Sequence, residues 1–99
     1  MDCLLKKNSL VTINQMTELN DLRAEIDSID CSLLSLLDKR REIVCDIFEQ
    51  KKILGLSLQD HTREKEIIDM LSAKTKRFSK SEIADIWSAI ITSSYKLLP

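Results

Sequence analysis

The sequence predicts an all-α fold of three helices (long, short and medium) intertwined with a second copy in a homodimeric helical bundle. Three observations carry this expectation. The 99 residues contain one Gly and one Pro, whereas an all-β chain needs turn residues about every 8–12 positions. A stripe of apolar side chains, mostly at alternating spacings of three and four, begins at Leu19 and continues to Leu54. Two short polar clusters, Ser57-Leu-Gln-Asp60 and Ser79-Lys-Ser-Glu82, carry helix-start signals.

Residues 1–16 show no helical period. Leu10-Val-Thr-Ile13 admits a short extended piece, but the segment as a whole reads as a loosely held N-terminal extension, leaving 17–99 as the helical domain. Helix one then runs from about 18 to about 53, with Leu19, Leu22, Ile26, Ile29, Leu33, Leu36, Arg40, Ile43, Ile47 and Leu54 in its stripe. Thr17 or Asn20 offers an N-cap, and Gly55 is a natural stop.

In the second helix, Ser57 and Asp60 have capping-box spacing with Asp in place of Glu. It turns Ile67, Ile68 and Leu71 inward and fades in Lys74-Thr-Lys-Arg77. Ser79 and Glu82 open the third with a capping box proper. Its apolar face is Ile83, Ile86, Trp87, Ile90, Ile91 and Leu97 or Leu98.

The length of helix one argues for a second copy. At about 1.5 Å per residue it is roughly 54 Å long, whereas a compact chain of this size is only about 35 Å across. Its apolar stripe runs the whole length, and two shorter helices cannot cover it. A symmetric two-fold partner is the economical cover. The alternative is a hinge near the middle, but nothing from Cys31 to Glu49 breaks a helix.

Composition excludes several function classes. The formal net charge is −1, so no global basic field invites nucleic acid. Cys3, Cys31 and Cys45 share no metal-ligand or CxxC spacing, and His61 is the only histidine. No metal, phosphate loop or cofactor is called for, and the cysteines read as reduced thiols of a cytoplasmic protein. The apolar start at Leu4-Leu5 is cut short by Lys6-Lys7-Asn8, which is no signal peptide. No apolar run approaches the ~20 residues of a membrane span.

Arg40 is the informative residue, because the period calls for Leu or Ile there. Val44, Ile47 and Lys51 follow it on the same face, so two cations flank a two-residue apolar patch. A buried charge without a partner costs several kcal/mol, so each needs an anion. Carboxylates from helix two or from the partner chain are the commoner answer; a ligand that comes and goes is the functional one. Asp60, Arg63 and Glu64 add a second same-face cluster, whose plain reading is a solvated Arg–Glu pair. Arg23 lies about 25 Å before Arg40 along the helix axis and about 100° around it. It cannot reach the patch of its own chain; in an antiparallel pair it reaches the partner's.

These residues resemble the all-helical chorismate mutases. Leu22-Arg-Ala-Glu-Ile-Asp-Ser-Ile-Asp30 is similar to that family's L-R-x-x-I-x-x-x-D opening, and Leu36-Leu-Asp-Lys-Arg-Arg41 to its L-L-x-x-R core. Lys51 stands where the family places its active-site Lys. Asp60-His-Thr-Arg-Glu64 resembles the D-x-x-R-E start of helix two, and Ile90-Ile-Thr-Ser-Ser94 the I-I-x-x-S segment of helix three. The match covers about residues 18–98.

The resemblance implies a pericyclic rearrangement of chorismate to prephenate, in aromatic amino-acid biosynthesis, with no cofactor. Arg40 and the partner's Arg23 would grip the two carboxylates of this dianion, as the planar guanidinium fork allows. Lys51 would donate to the ether oxygen, where charge grows in the transition state. Glu64 would accept from the substrate hydroxyl, helped by the backbone near Asp60. Arg63 would orient Glu64 or the ligand, and Ser94 would sit near a carboxylate. Val44, Ile47 and Ile91 would wall the site.

Two positions depart from the pattern. The family usually has Gln or Glu where this chain has Leu98, and losing such a donor predicts a rate lower by ~10²-fold. Phe48 stands where a small residue is common, and altered helix packing is the expected result. Two other functions stay open on sequence alone: an isochorismate pyruvate-lyase of the same fold, and a non-catalytic helical dimer.

Overall fold

The computed structural model describes residues 9–98, with side chains from residue 12 onward. The elements are α1 (Ser9–Leu54), α2 (His61–Ser72) and α3 (Lys80–Tyr95). The long–short–medium order is as the sequence predicts, and the described residues contain no strand.

Helix α1 is the main departure. It begins at Ser9 rather than near residue 18, so residues 9–16 are helical and only 1–8 of the expected extension lie outside the described residues. Ile13 and Met16 carry the apolar stripe backward past Leu19, despite the β-branched run Val11-Thr-Ile13, whose stiff side chains lower helix propensity. Thr17 and Asn20 are interior and cap nothing. The Thr17 hydroxyl donates instead to the Ile13 carbonyl one turn back, at 3.3 Å. The backbone from Cys31 to Glu49 is helical at every residue.

The helix stops where expected. Gly55 takes φ +70°, a left-handed conformation that costs other residues more. Its N–H donates to the Lys52 carbonyl and that of Leu56 to the Lys51 carbonyl, at 3.2 and 2.8 Å. This pair of bonds is the Schellman closure.

The chain forms two compact units, one up to Lys39 and one from Arg40 onward. In the first, the described residues belong to α1 alone, and its apolar side chains are uncovered: Leu22, Ile26 and Ile29 are each more than half exposed. The second unit contains the end of α1, with α2 and α3. Its buried apolar side chains are Phe48, Ile83 and Ile91. Ile67, Ile68, Leu71, Trp87 and Ile90 are half-buried, while Ile86 and Leu97 remain exposed despite their apolar spacing.

Both shorter helices are capped at their N-termini, one of them differently from expectation. Asp60 is itself the N-cap of α2, accepting from the Arg63 N–H at 3.0 Å. Ser57 takes no part, its hydroxyl donating to the Gln59 carbonyl. At α3 the capping box is complete: Ser79 accepts from the Glu82 N–H, and Glu82 from the Ser79 N–H. Lys80 also reaches back to Asp69 at 2.8 Å, which ties the start of α3 to α2.

Candidate functional site

A cleft of about 110 Å³, open to solvent, lies within the second unit. The end of α1 supplies Arg40, Val44, Ile47, Phe48 and Lys51 to its lining. These positions recur every three or four residues, so one face of one helix provides both cations and the apolar surface between them. The α1–α2 loop and α2 add Leu58, Asp60, Arg63, Glu64 and Ile67; α3 adds Ile91, Ser94 and Tyr95. Every site residue expected from the sequence lines this cleft except Arg23, which is exposed on α1 in the first unit.

The cations of α1 have neutral partners. Arg40 donates to the Ser94 hydroxyl at 3.3 Å, and Ser94, which is buried, donates in turn to the Ile90 carbonyl. Lys51 donates to the Leu58 carbonyl at 3.2 Å. Neither is ion-paired with a carboxylate among the described residues of this chain, although both are half-buried. Helix two therefore does not supply the anion that the sequence argument required. The cleft holds positive charge with no ion-pair partner among the described residues.

The acidic side is differently arranged. Arg63 pairs with Glu66 at 3.5 Å, both well exposed. Glu64 instead accepts from the Tyr95 phenol and faces His61 Nδ1 at 3.5 Å, His61 being largely in solvent. Burial pushes the Tyr95 phenol above its ordinary range, and the hydrogen bond and negative charge of Glu64 add to this. A hydrogen bond from the Asp60 backbone acts in the opposite direction.

Four lining residues were not among those expected: Phe48, Leu58, Ile67 and Tyr95. Two carried a readable signal, because Phe48 follows Val44 by four and Tyr95 follows Ile91 by four, so each shares a face with an expected wall residue. Phe48 packs as expected, only 8% exposed, but its ring also forms cleft wall and stacks on Tyr95, with centroids 6.2 Å apart. Leu58 contributes a loop carbonyl, which no side-chain pattern reveals.

Leu98 is not in the cleft. Helix α3 ends at Tyr95, and Leu98 lines a separate depression with Cys45, Glu49 and Lys52. No cluster of metal-ligating side chains occurs among the described residues. No helix among them is long and apolar enough to cross a membrane.

With this geometry in hand, known proteins are informative. The family profile described as chorismate mutase type II matches residues 22–97. A chorismate mutase of Methanocaldococcus jannaschii is 34% identical over 65 residues, which are 66% of this chain and 66% of that protein. The T-protein of Enterobacter agglomerans is 42% identical over 61 residues, 62% of this chain but 16% of its own length. This chain thus spans 66% of the first relative and a small part of the second. Among solved structures, the chorismate mutase of Thermus thermophilus (form II) superposes with a TM-score of 0.78 at 30% identity. That match covers 81% of this chain and 92% of the other.

Proposed function

Because this chain belongs to the chorismate mutase type II family, we propose that it is an isomerase that rearranges chorismate to prephenate, a step of aromatic amino-acid biosynthesis. The observation that carries the reading is the pair Arg40 and Lys51: half-buried cations, hydrogen-bonded only to neutral groups, on either side of an apolar wall. A dianion of compact shape completes such a site.

The chemistry asks little of side chains covalently. One C–O ether bond breaks and one C–C bond forms in a single cyclic shift, with no proton transferred and no cofactor consumed. Rate comes from holding the flexible substrate folded and from stabilising charge on the ether oxygen. Arg40, backed by Ser94, takes one carboxylate bidentately. Lys51 donates to the ether oxygen, and Glu64 accepts from the ring hydroxyl. Asp60 and Arg63 border the open side, while Val44, Ile47 and Ile91 press the substrate into its reactive shape.

The second carboxylate falls to Arg23 of a partner chain, in a homodimer. Support for the dimer comes from the uncovered stripe of α1, including Leu22, Ile26 and Ile29 at 51, 56 and 54% exposure. Three buried apolar side chains, at about 1.5–3 kcal/mol each, are too few to offset the ordering entropy of a chain this long. A cytoplasmic location fits the free thiols of Cys31 and Cys45.

The test is loss of chorismate absorbance with purified protein, together with assay of prephenate. Turnover supports the mutase reading. Pyruvate release from isochorismate, without chorismate turnover, replaces it with a lyase. Dianion binding without either reaction leaves a binding module.

A further inference from the structure

Tyr95 stands on the carboxylate that the proposed mechanism reserves for the substrate. Its phenol donates to Glu64 Oε2. One hydroxyl thus makes the contact to Glu64 that is assigned above to a ligand's ring hydroxyl. The phenol is well held there. Phe48, itself buried, stacks on the Tyr95 ring with the planes 15° apart.

We propose that Tyr95 is a specificity-determining residue whose phenol occupies the hydroxyl subsite at Glu64, so that a ligand's ring hydroxyl must displace it. The inference rests on the mutase reading of the same cleft. Its energetic consequence is an exchange: the incoming hydroxyl makes one hydrogen bond to Glu64 and breaks another. A ring hydroxyl therefore adds almost nothing to affinity in this chain. Displacement is feasible, because Tyr95 is the last residue of α3 and the backbone hydrogen bonds just beyond it are turn bonds, such as Leu98 N–H to the Tyr95 carbonyl at 3.1 Å.

A merely structural role predicts the opposite sign. If the phenol serves to orient Glu64, deleting it weakens binding. If it competes, deleting it opens an acceptor on a charged group, and hydrogen bonds to such groups correspond to roughly tenfold or more in affinity.

Tyr95→Phe makes the distinction, since it keeps the ring and the Phe48 stack and removes only the oxygen. Calorimetric titration of the full chain would use an oxabicyclic dicarboxylate shaped like the transition state, with and without its ring hydroxyl. The expected result is that the parent binds both probes within about threefold. Tyr95→Phe binds the hydroxylated probe about tenfold tighter and the deoxy probe unchanged, and its KM for chorismate falls in parallel. Equal or weaker binding of the hydroxylated probe by the variant overturns the proposal, as does an equal gain for both probes or no binding of either by the folded chain. Chorismate turnover judges the other reading separately. A variant that shows the hydroxyl-dependent gain, from a parent that does not consume chorismate, means no mutase but keeps the subsite; a parent that consumes chorismate, with no such gain in the variant, is a mutase in which Tyr95 does not compete.

Discussion

Arg40 and Arg41 are neighbours on α1 that both reach α3, but with different consequences. Arg41 Nη2 donates to the Ser93 hydroxyl at 2.7 Å and to the Ser93 carbonyl at 3.0 Å, at the solvent-exposed edge. Arg40 holds Ser94 by a single longer bond at 3.3 Å, inside the cleft. The double contact of Arg41 fastens the C-terminal turn of α3, and the lone contact of Arg40 leaves most of its guanidinium donors for a ligand.

The two residues should therefore separate on substitution. Arg40→Ala is expected to lower kcat/KM by about 10²-fold or more while leaving the helical circular dichroism unchanged. Arg41→Ala is expected to do the reverse, lowering the melting temperature with activity largely retained. Full activity in Arg40→Ala removes the central role given to it.

Tyr95 is the only tyrosine in the chain, so its ionisation is directly visible as tyrosinate absorbance. Its pKa is raised above the ordinary 10.0 by burial, then by Glu64. Titration of the folded protein should show a midpoint above that value, moving down in Glu64→Gln. The sign for stability follows: the neutral phenol's contribution is fully present below pH 10 and is lost as pH rises through the higher folded value.

At the start of α3, Ser79→Ala removes one half of the capping box and should cost about 1 kcal/mol, read as a lower melting temperature. Glu82 is held below its usual range by the Ser79 backbone and hydroxyl, and Asp69 by the hydrogen bond from Lys80. Both contribute stability above ordinary carboxylate pKa values of 4.5 and 3.8, and both contributions are lost as pH falls through the lower folded values. An acid melt should show the parent losing more stability below pH 4.5 than Glu82→Gln does.

Leu98→Gln should change kcat by less than about threefold, because that side chain lies outside the cleft and a donor there has no ether oxygen to reach. A large gain in chorismate turnover would mean that the end of α3 rearranges around the substrate.

Arg23 and Arg40 can be tested together. In the proposed dimer each site takes Arg40 from one chain and Arg23 from the other. Mixing inactive Arg23→Ala with inactive Arg40→Ala should restore about a quarter of parental activity, since half of the dimers regain one intact site. No recovery in mixtures shown to exchange subunits would exclude Arg23 from the site.

Much of this was legible in the sequence because it rests on short-range rules. Gly55 ends α1 through a left-handed turn, Ser79 and Glu82 open α3, and the spacing from Arg40 to Lys51 places both cations on one face. What was misread depends on other kinds of information. The start of α1 was obscured by Val11-Thr-Ile13, whose low propensity hid the continuation of the stripe through Ile13 and Met16. Capping-box spacing makes Asp60 the interior partner of Ser57, whereas it is the cap itself. Counting on from Ser94 puts Leu98 on the same helix face, but the helix ends between them. Tyr95 and Glu64 meet across two helices, a tertiary contact that no local pattern encodes.

In the reading proposed above, the bare stripe of α1 also makes activity a matter of concentration. A helix with Leu22, Ile26 and Ile29 in water draws little support from its own chain, and isolated helices are marginal. In the proposed dimer, mass action then links stability to protomer supply. Specific activity falls on dilution and melting temperature climbs with protein concentration, so the synthesis rate of the chain sets both its abundance and the working fraction of its sites.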